Sequence, residues 1–238
     1  MNKKRILIVI IGIVIALAGG GYWWGRNQGL SITDTVRVIV GKEKSFDVND
    51  PGSLFEVAVP EDMNDAEKQR LGDKINLSKT LYDTKKDETW TWITIGNMYE
   101  FAEDYDRAIA AYTHASDLNA SEYISRMNIA YIYENYKEEY TKAEEYYKKV
   151  IEINPNNPDN FINLARLYEF KMQKRAEAEE VYIDGLTKTK NNSDLIVTLI
   201  RFYQRQNNSA KVTEYSKLLL SLYPDNDTYR QEFADFVK

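Results

Sequence analysis

The sequence predicts an all-α protein, an α-solenoid of about four helix-turn-helix repeats closed by a capping helix. Ahead of the solenoid it predicts an N-terminal transmembrane helix and a short β-prone spacer. Three observations support this organisation: a basic and then apolar start, a β-branched stretch after it, and a periodicity of 34–35 residues beyond. The composition, 13% aromatic and 29% charged residues among 238, is typical of a chain that folds.

The first 24 residues have the features of a membrane anchor. A basic stub over residues 1–5 precedes an apolar stretch over residues 6–24, and those 19 residues extend about 28 Å as a helix. That length crosses the hydrocarbon of a bilayer, and Trp23 and Trp24 at its end suit the interface. A small-x-small sequence at residues 16–18 leaves a cleaved signal peptide as the alternative.

The charges around this stretch predict its orientation. Basic residues stay on the cytoplasmic side, so we expect a single-pass cell-membrane protein with its N-terminus cytoplasmic and its C-terminal domain extracytoplasmic. A cleaved signal would instead give a secreted protein. Gly12, Ala16 and Gly20 lie four residues apart on one helix face, a spacing that predicts a homodimer of anchors. Their ordinary abundance in membrane helices is the alternative interpretation.

A spacer over residues 25–60 and a leading helix over residues 61–83 are predicted next. The spacer contains two β-branched runs, Thr35–Val40 and Leu54–Val59, which predict a small hairpin around the turn signal at residues 49–52. Two strands alone are marginal in water. The leading helix is free of proline and has a loose apolar stripe, so we expect it to pack on the first repeat.

A regular repeat fills residues 89–224. Two sets of residues recur every 34 or 35 positions: Tyr99, Tyr133, Tyr168 and Tyr203; and Ala108, Ala143, Ala178 and Val212. The distance from the tyrosine to the alanine varies by one residue, whereas the spacing inside each half is constant. Each unit is therefore predicted to be two helices joined by a turn of variable length. Small residues allow the helices to approach, and each pair leaves an apolar face for the next pair to cover.

The pattern resembles the tetratricopeptide repeat family. The first unit reads Trp92-x2-Ile95-Gly96-x2-Tyr99 and then Ala108-x3-Tyr112, and the third unit has Phe161-x2-Leu164-Ala165-x2-Tyr168. The resemblance implies units over residues 89–122, 123–157, 158–192 and 193–226, the last one degenerate, with a capping helix over residues 227–238. Asn157-Pro158 is predicted to start a helix, and Pro155 and Pro224 to follow helix ends.

In this family the first helix of each unit lines a groove that binds a peptide or a partner helix. The resemblance implies the following groove residues: Trp90, Ile93, Asn97, Phe101, Asn128, Tyr131, Asn163, Arg166, Phe170, Arg201 and Arg205. The N-terminal half of this set, with Glu100 and Glu134 beside it, is apolar and acidic, and the C-terminal half is basic.

The family's carboxylate clamp for chaperone tails is not expected here. Asn97 and Asn128 match its two asparagines, but its lysine position holds Ile93, and its third-unit cations are replaced by Asp159 and Asn163. Without those cations a terminal carboxylate would not be held. The two asparagines are predicted either to bind extended backbone or to be solvated.

Catalysis, cofactors and nucleic acid are not expected. The chain has no cysteine and one histidine, His114, which excludes thiolate chemistry and multi-histidine metal sites. Residues 27–238 carry 27 basic and 37 acidic groups, a balance that repels phosphate backbones. His114 is predicted to be a structural residue on a second helix. Acidic pairs such as Glu144-Glu145 and Glu179-Glu180 are predicted to be solvated.

These observations predict a non-catalytic adaptor or scaffold, anchored in the membrane, whose groove binds a protein or peptide partner. A chaperone-like holdase for exported or unfolded chains is the alternative. The holdase would bind many clients weakly, whereas the adaptor would bind one partner tightly.

Overall fold

The computed structural model describes residues 51–237, and the chain divides after residue 58 into an N-terminal and a C-terminal region. Of the N-terminal region it describes a single helical turn, Pro51–Leu54, and the residues up to 58. The predicted anchor, its small-residue dimer face and the first β-branched run lie outside the described residues. In the part described, no helix combines the length and apolar character needed to span a membrane.

The second strand predicted for the spacer is wrong. Leu54 ends a helical turn, and the chain from residue 56 to residue 60 is neither helix nor strand. Pro51 is the first residue of that turn, where its fixed φ angle suits a helix and its missing N–H costs nothing. The Glu56 N–H then donates to the Ser53 carbonyl at 3.3 Å and closes the turn.

Ten α-helices make up the described part of the C-terminal region, in which no strand occurs. They are α1 Asp65–Lys85, α2 Thr89–Phe101, α3 Tyr105–Leu118, α4 Ile124–Asn135, α5 Tyr140–Ile153, α6 Pro158–Arg166, α7 Arg175–Lys188, α8 Ser193–Arg205, α9 Ser209–Leu222 and α10 Asp227–Phe233. A π-helical turn, Leu167–Lys171, extends α6, and a 3-10 helix, Ala234–Val237, follows α10.

The helices stack in consecutive pairs. Helices α2 and α3, α4 and α5, α6 and α7, and α8 and α9 pack against each other, and each pair packs on the next. Helix α1 packs on α2, and the 3-10 helix after α10 packs on α9 with Phe233 buried. The all-α repeat architecture predicted from the sequence is therefore confirmed.

Helix ends follow local capping chemistry. The Asn157 side chain accepts from the Asp159 N–H at 3.0 Å with Pro158 at the first helical position, as predicted. Helix α5 ends two residues before Pro155 and α9 two residues before Pro224. Helix α1 begins later than predicted because Asn64 and Glu67 form a reciprocal capping box.

The turn inside each pair has one residue in the left-handed region. These residues are Glu103, Glu138, Gln173 and Asn207, with φ between 54° and 59°. The next N–H donates to the carbonyl of the repeat tyrosine: Asp104 to Tyr99 at 2.9 Å in the first unit and Lys174 to Tyr168 at 2.8 Å in the third. The extra residue of the second and third units lies inside this closed turn, which explains why the spacing varies only there.

Close approach of paired helices occurs at Gly96. A Cβ atom built on Gly96 would lie 2.4 Å from Cε1 of Tyr112, a ring that is fully buried. In this first pair, α2 therefore has no room for a side chain at Gly96, where the Tyr112 ring of α3 fills the space.

We expect Gly96→Ala to lower the free energy of unfolding by about 1–3 kcal/mol, because the buried Tyr112 ring has no room to move. Gly72→Ala is the matched control: Gly72 lies inside α1, a Cβ atom built there would meet nothing within 4 Å outside the local helix backbone, and the substitution should stabilise the protein by about 0.5–1 kcal/mol. Urea unfolding followed by circular dichroism measures both. Equal effects of the two substitutions would contradict the steric argument.

Candidate partner-binding site

The predicted groove residues lie on the first helix of each pair. Trp90, Ile93, Asn97 and Phe101 are on α2, Asn128 and Tyr131 on α4, and Arg201 and Arg205 on α8. Asn163 and Arg166 are on α6, and Phe170 is in its π-helical turn. We call the surface formed by these side chains the first-helix face.

Direct contacts join this face from one pair to the next. The Asn163 amide lies 3.6 Å from the Met127 sulfur, which links α6 to α4. Arg205 of α8 donates two hydrogen bonds of 2.8 Å to the carboxylate of Glu169. Side chains of α4, α6 with its π-helical turn, and α8 are therefore in direct contact along this face.

One predicted residue, Ile93, is not available to a partner. It is only 3% exposed, whereas Trp90 is 58% exposed. Ile93 lies two turns before Phe101 on the same side of α2, and Lys74 of α1 lies over the Phe101 ring. Helix α1 packs on α2, so part of the surface of α2 is used inside the protein.

Buried tyrosine hydroxyls connect the second helices to carboxylates on the first. The Tyr112 hydroxyl lies 2.7 Å from Oε2 of Glu100 and 2.6 Å from the Asn97 amide, and Asn128 also hydrogen-bonds to it. The Asn97 atom nearest the hydroxyl is its Oδ1, so Asn97 and Glu100 both offer acceptors, and the single hydroxyl proton is donated to one of them at a time. Burial, and then the Glu100 charge, raise the pKa of Tyr112.

This arrangement recurs in the second pair and changes in the third. The Tyr147 hydroxyl donates to Glu134 at 2.7 Å. The equivalent Glu169 instead binds Arg205, and the hydroxyl of Tyr182 is buried without a hydrogen-bond partner. In the third helix pair, the tyrosine–glutamate hydrogen bond is thus replaced by a salt bridge to an arginine of the fourth helix pair.

A second series of hydrogen bonds crosses between pairs. The Tyr168 hydroxyl donates to Glu144 at 2.9 Å, and the Tyr203 hydroxyl donates to Glu179 at 2.7 Å. The prediction that these two glutamates are only solvated is therefore wrong. Each glutamate precedes its tyrosine by 24 residues, and this constant spacing is the sequence feature from which the contact could have been predicted.

The basic half of the first-helix face is partly neutralised by the chain itself. Arg205 pairs with Glu169 and lies 5.2 Å from the centre of the Phe170 ring. Arg201 pairs with Glu232 at 3.2 Å. Arg166 is exposed and has no ion pair among the described residues, so it is the predicted cation best placed for a partner.

Asn97 and Asn128 meet at the Tyr112 hydroxyl instead of standing free in solvent. Each amide keeps further hydrogen-bonding groups, because one contact uses only one of them. Binding of extended peptide backbone by this pair stays a prediction.

Two stacked aromatics beside the face, Tyr105 and the exposed Tyr136, were missed by sequence reasoning. Tyr136 follows α4 and stacks on Tyr105, with ring centres 4.1 Å apart and planes 15° apart. Tyr131 meets the Tyr136 ring edge-on at 5.8 Å. Tyr105 and Tyr136 lie outside the repeat positions that define the groove, so the repeat pattern did not predict them, whereas it did predict Tyr131.

His114 lies on α3 with its ring centre 4.1 Å from that of Trp92. Burial lowers the pKa of this imidazole, and the nearby Asp117 charge partly opposes the effect. This packing is consistent with the structural role predicted for it.

The paired helices and their shared face define a helical repeat protein. Sequence models described as tetratricopeptide repeat match residues 91–122 and 124–157, and a second such model matches residues 146–180. Residues 91–122 and 124–180 therefore match tetratricopeptide repeats. No curated protein sequence matches it significantly.

Solved structures agree on the fold. The crystal structure of MamA has 16% sequence identity and a TM-score of 0.51, and the match covers 73% of this chain and 98% of that one. A MamA RS-1 double mutant has 14% identity and a TM-score of 0.51, with 70% and 99% covered. At such identities the likeness concerns the fold alone.

We expect Tyr147→Phe to lower the free energy of unfolding by about 1–3 kcal/mol, because Glu134 loses its buried donor. Tyr182→Phe is the control, since it removes a hydroxyl that has no partner, and it should be neutral or stabilising. Chemical unfolding measures both. A cost for Tyr182→Phe as large as that for Tyr147→Phe would show that the Glu134 hydrogen bond contributes nothing.

We also expect His114 to titrate below its ordinary pKa of 6.5, and its single imidazole resonance makes proton NMR a direct measurement. Since the folded chain favours the neutral ring, this stabilisation is complete above pH 6.5 and is lost as the pH falls through 6.5 towards the lowered pKa. His114→Gln should remove that part of the pH dependence. A folded pKa at or above 6.5 would contradict the burial argument.

Proposed function

We propose that this protein is a membrane-anchored adaptor that binds a protein or peptide partner on the first-helix face without catalysing a reaction. Its family and fold suggest an adaptor or scaffold role in protein interaction. The surface, the partner and the membrane location are the parts that the proposal adds.

The exposed aromatics carry this proposal. In the part of the chain described, five aromatic side chains are counted among the exposed large apolar residues: Trp90, Tyr131, Tyr136, Phe170 and Phe236. Trp90, Tyr131 and Phe170 belong to three successive first helices, and Tyr136 directly follows one. Several solvent-exposed aromatic rings on one face are typical of protein-binding sites, because they bury large areas at little entropic cost.

Anchoring is proposed from the sequence. Residues 6–24 are long and apolar enough to cross a bilayer, and the basic residues before them favour a cytoplasmic N-terminus. The repeats would then face the extracytoplasmic side. Confinement to the membrane plane raises the effective concentration of a partner held at the same surface.

Site-specific photocrosslinking tests the surface. A photoreactive phenylalanine derivative replaces Tyr131 or Phe170 in the full chain, expressed in the cells that make it, and adducts are collected from carbonate-washed membranes. The matched controls are Leu118 and Ile183 on the second helices, with exposures of 41% and 42% against 45% and 48% for the test positions. We expect one dominant adduct from each test position and none from the controls.

The other outcomes separate the rival ideas. Many adducts of different mass from the test positions would favour the holdase. Adducts from Leu118 and Ile183 alone would move the binding surface to the second helices. A chain that leaves the membrane during the carbonate wash would overturn the proposed anchor.

A further inference from the structure

An open cleft of about 590 Å³ lies at the N-terminal end of the first-helix face, beside α2. One wall comes from the segment around Asp62 and the N-terminal half of α1, and the other from the end of α2 and the turn into α3. Tyr105 and Tyr136 form its aromatic edge. The cleft therefore combines the part of the face nearest the leading helix with the aromatics that the repeat pattern did not reveal.

The charges that line this cleft are unbalanced. Four carboxylates, those of Asp62, Glu67, Glu100 and Glu103, face a single ammonium, that of Lys74. Glu67 caps the start of α1 and Glu100 accepts from Tyr112, and these neutral donors leave both charges in place. Asp62 and Glu103 are exposed and have no ion pair in the described ranges. The cleft thus has a negative potential that the chain neutralises only in part.

The aromatic surfaces of the cleft suit a cation. Tyr105 and Tyr136 stack with ring centres 4.1 Å apart, and the exposed fraction of Tyr136 is 45%. On the opposite side, the Lys74 ammonium lies 5.2 Å from the centre of the Phe101 ring. A lysine of the chain itself therefore already occupies an aromatic face in this cleft, as a partner's cation would.

We propose that the cleft binds a lysine- or arginine-bearing segment of the partner. This inference rests on the proposed function and adds the chemistry of the ligand. An acidic segment or a nucleic acid would be repelled by the four carboxylates. A purely apolar segment would bury those carboxylates without a partner, which is costly. A basic segment satisfies both the charges and the aromatic rings.

Two labelled peptides of equal length test this inference by fluorescence anisotropy with the full chain in zwitterionic detergent. One is three copies of Gly-Lys-Ser-Lys, and the other is three copies of Gly-Glu-Ser-Glu. We expect the lysine peptide to bind at least about tenfold more tightly, with an affinity that falls as salt is raised. Equal binding of the two peptides would overturn the inference.

Isosteric variants locate the site. Asp62→Asn/Glu103→Gln removes two cleft charges without removing a hydrogen bond seen in the structure, and it should weaken the lysine peptide about fivefold or more. Glu177→Gln/Asp225→Asn removes the same total charge from exposed positions outside the cleft and should change the affinity less than twofold. Tyr136→Leu should weaken binding by removing the stacked ring.

Equal losses of affinity in the two double variants would show a general charge effect and overturn the proposal that the peptide binds in the cleft. The proposed function is judged separately by the crosslinks at Tyr131 and Phe170. If the glutamate peptide binds and Arg166→Gln abolishes that binding, the inference fails while an adaptor with a basic site survives. If crosslinks form only at Leu118 and Ile183, the proposed function fails whatever the peptides show.

Discussion

The close pairing of two helices around a buried tyrosine is the contact on which the rest of this structure depends. Gly96 leaves the space that the Tyr112 ring fills, and the ring's hydroxyl reaches a carboxylate on the first helix. The same residue thus fixes the distance between the helices and positions Glu100. One contact therefore supports both the core of the helix pair and a carboxylate that lines the candidate site.

The series of tyrosine–glutamate hydrogen bonds also explains how the pairs are kept in order. Bonds from Tyr168 to Glu144 and from Tyr203 to Glu179 cross between pairs, whereas the bond from Tyr147 to Glu134 stays within one. A repeat array is stabilised by both kinds of term, one inside each unit and one at each interface. In the third unit the tyrosine–glutamate bond is absent, and Arg205 of the fourth unit binds Glu169. A stabilising contact inside the unit is thus replaced by one at the interface between units.

The two ends of the first-helix face differ in charge for different physical reasons. At the C-terminal end, Arg201 and Arg205 are paired with glutamates of the chain, so the basic character read from the sequence is partly cancelled. At the N-terminal end, exposed Asp62 and Glu103 have no such counterion in the described part of the chain, and the acidic character remains. The potential that a partner meets is therefore set by which charges the fold pairs.

The sequence alone determined the helix-pair repeat, most helix ends and the helices that carry the candidate site, because repeat spacing and capping residues act locally. Only the tertiary structure decided which of those residues a partner can reach. Ile93 is buried, Glu144 accepts from a tyrosine of the next helix pair, and Tyr136 stacks on Tyr105 beside the cleft. Each of these outcomes depends on residues far apart in the chain, whose contacts no local pattern specifies.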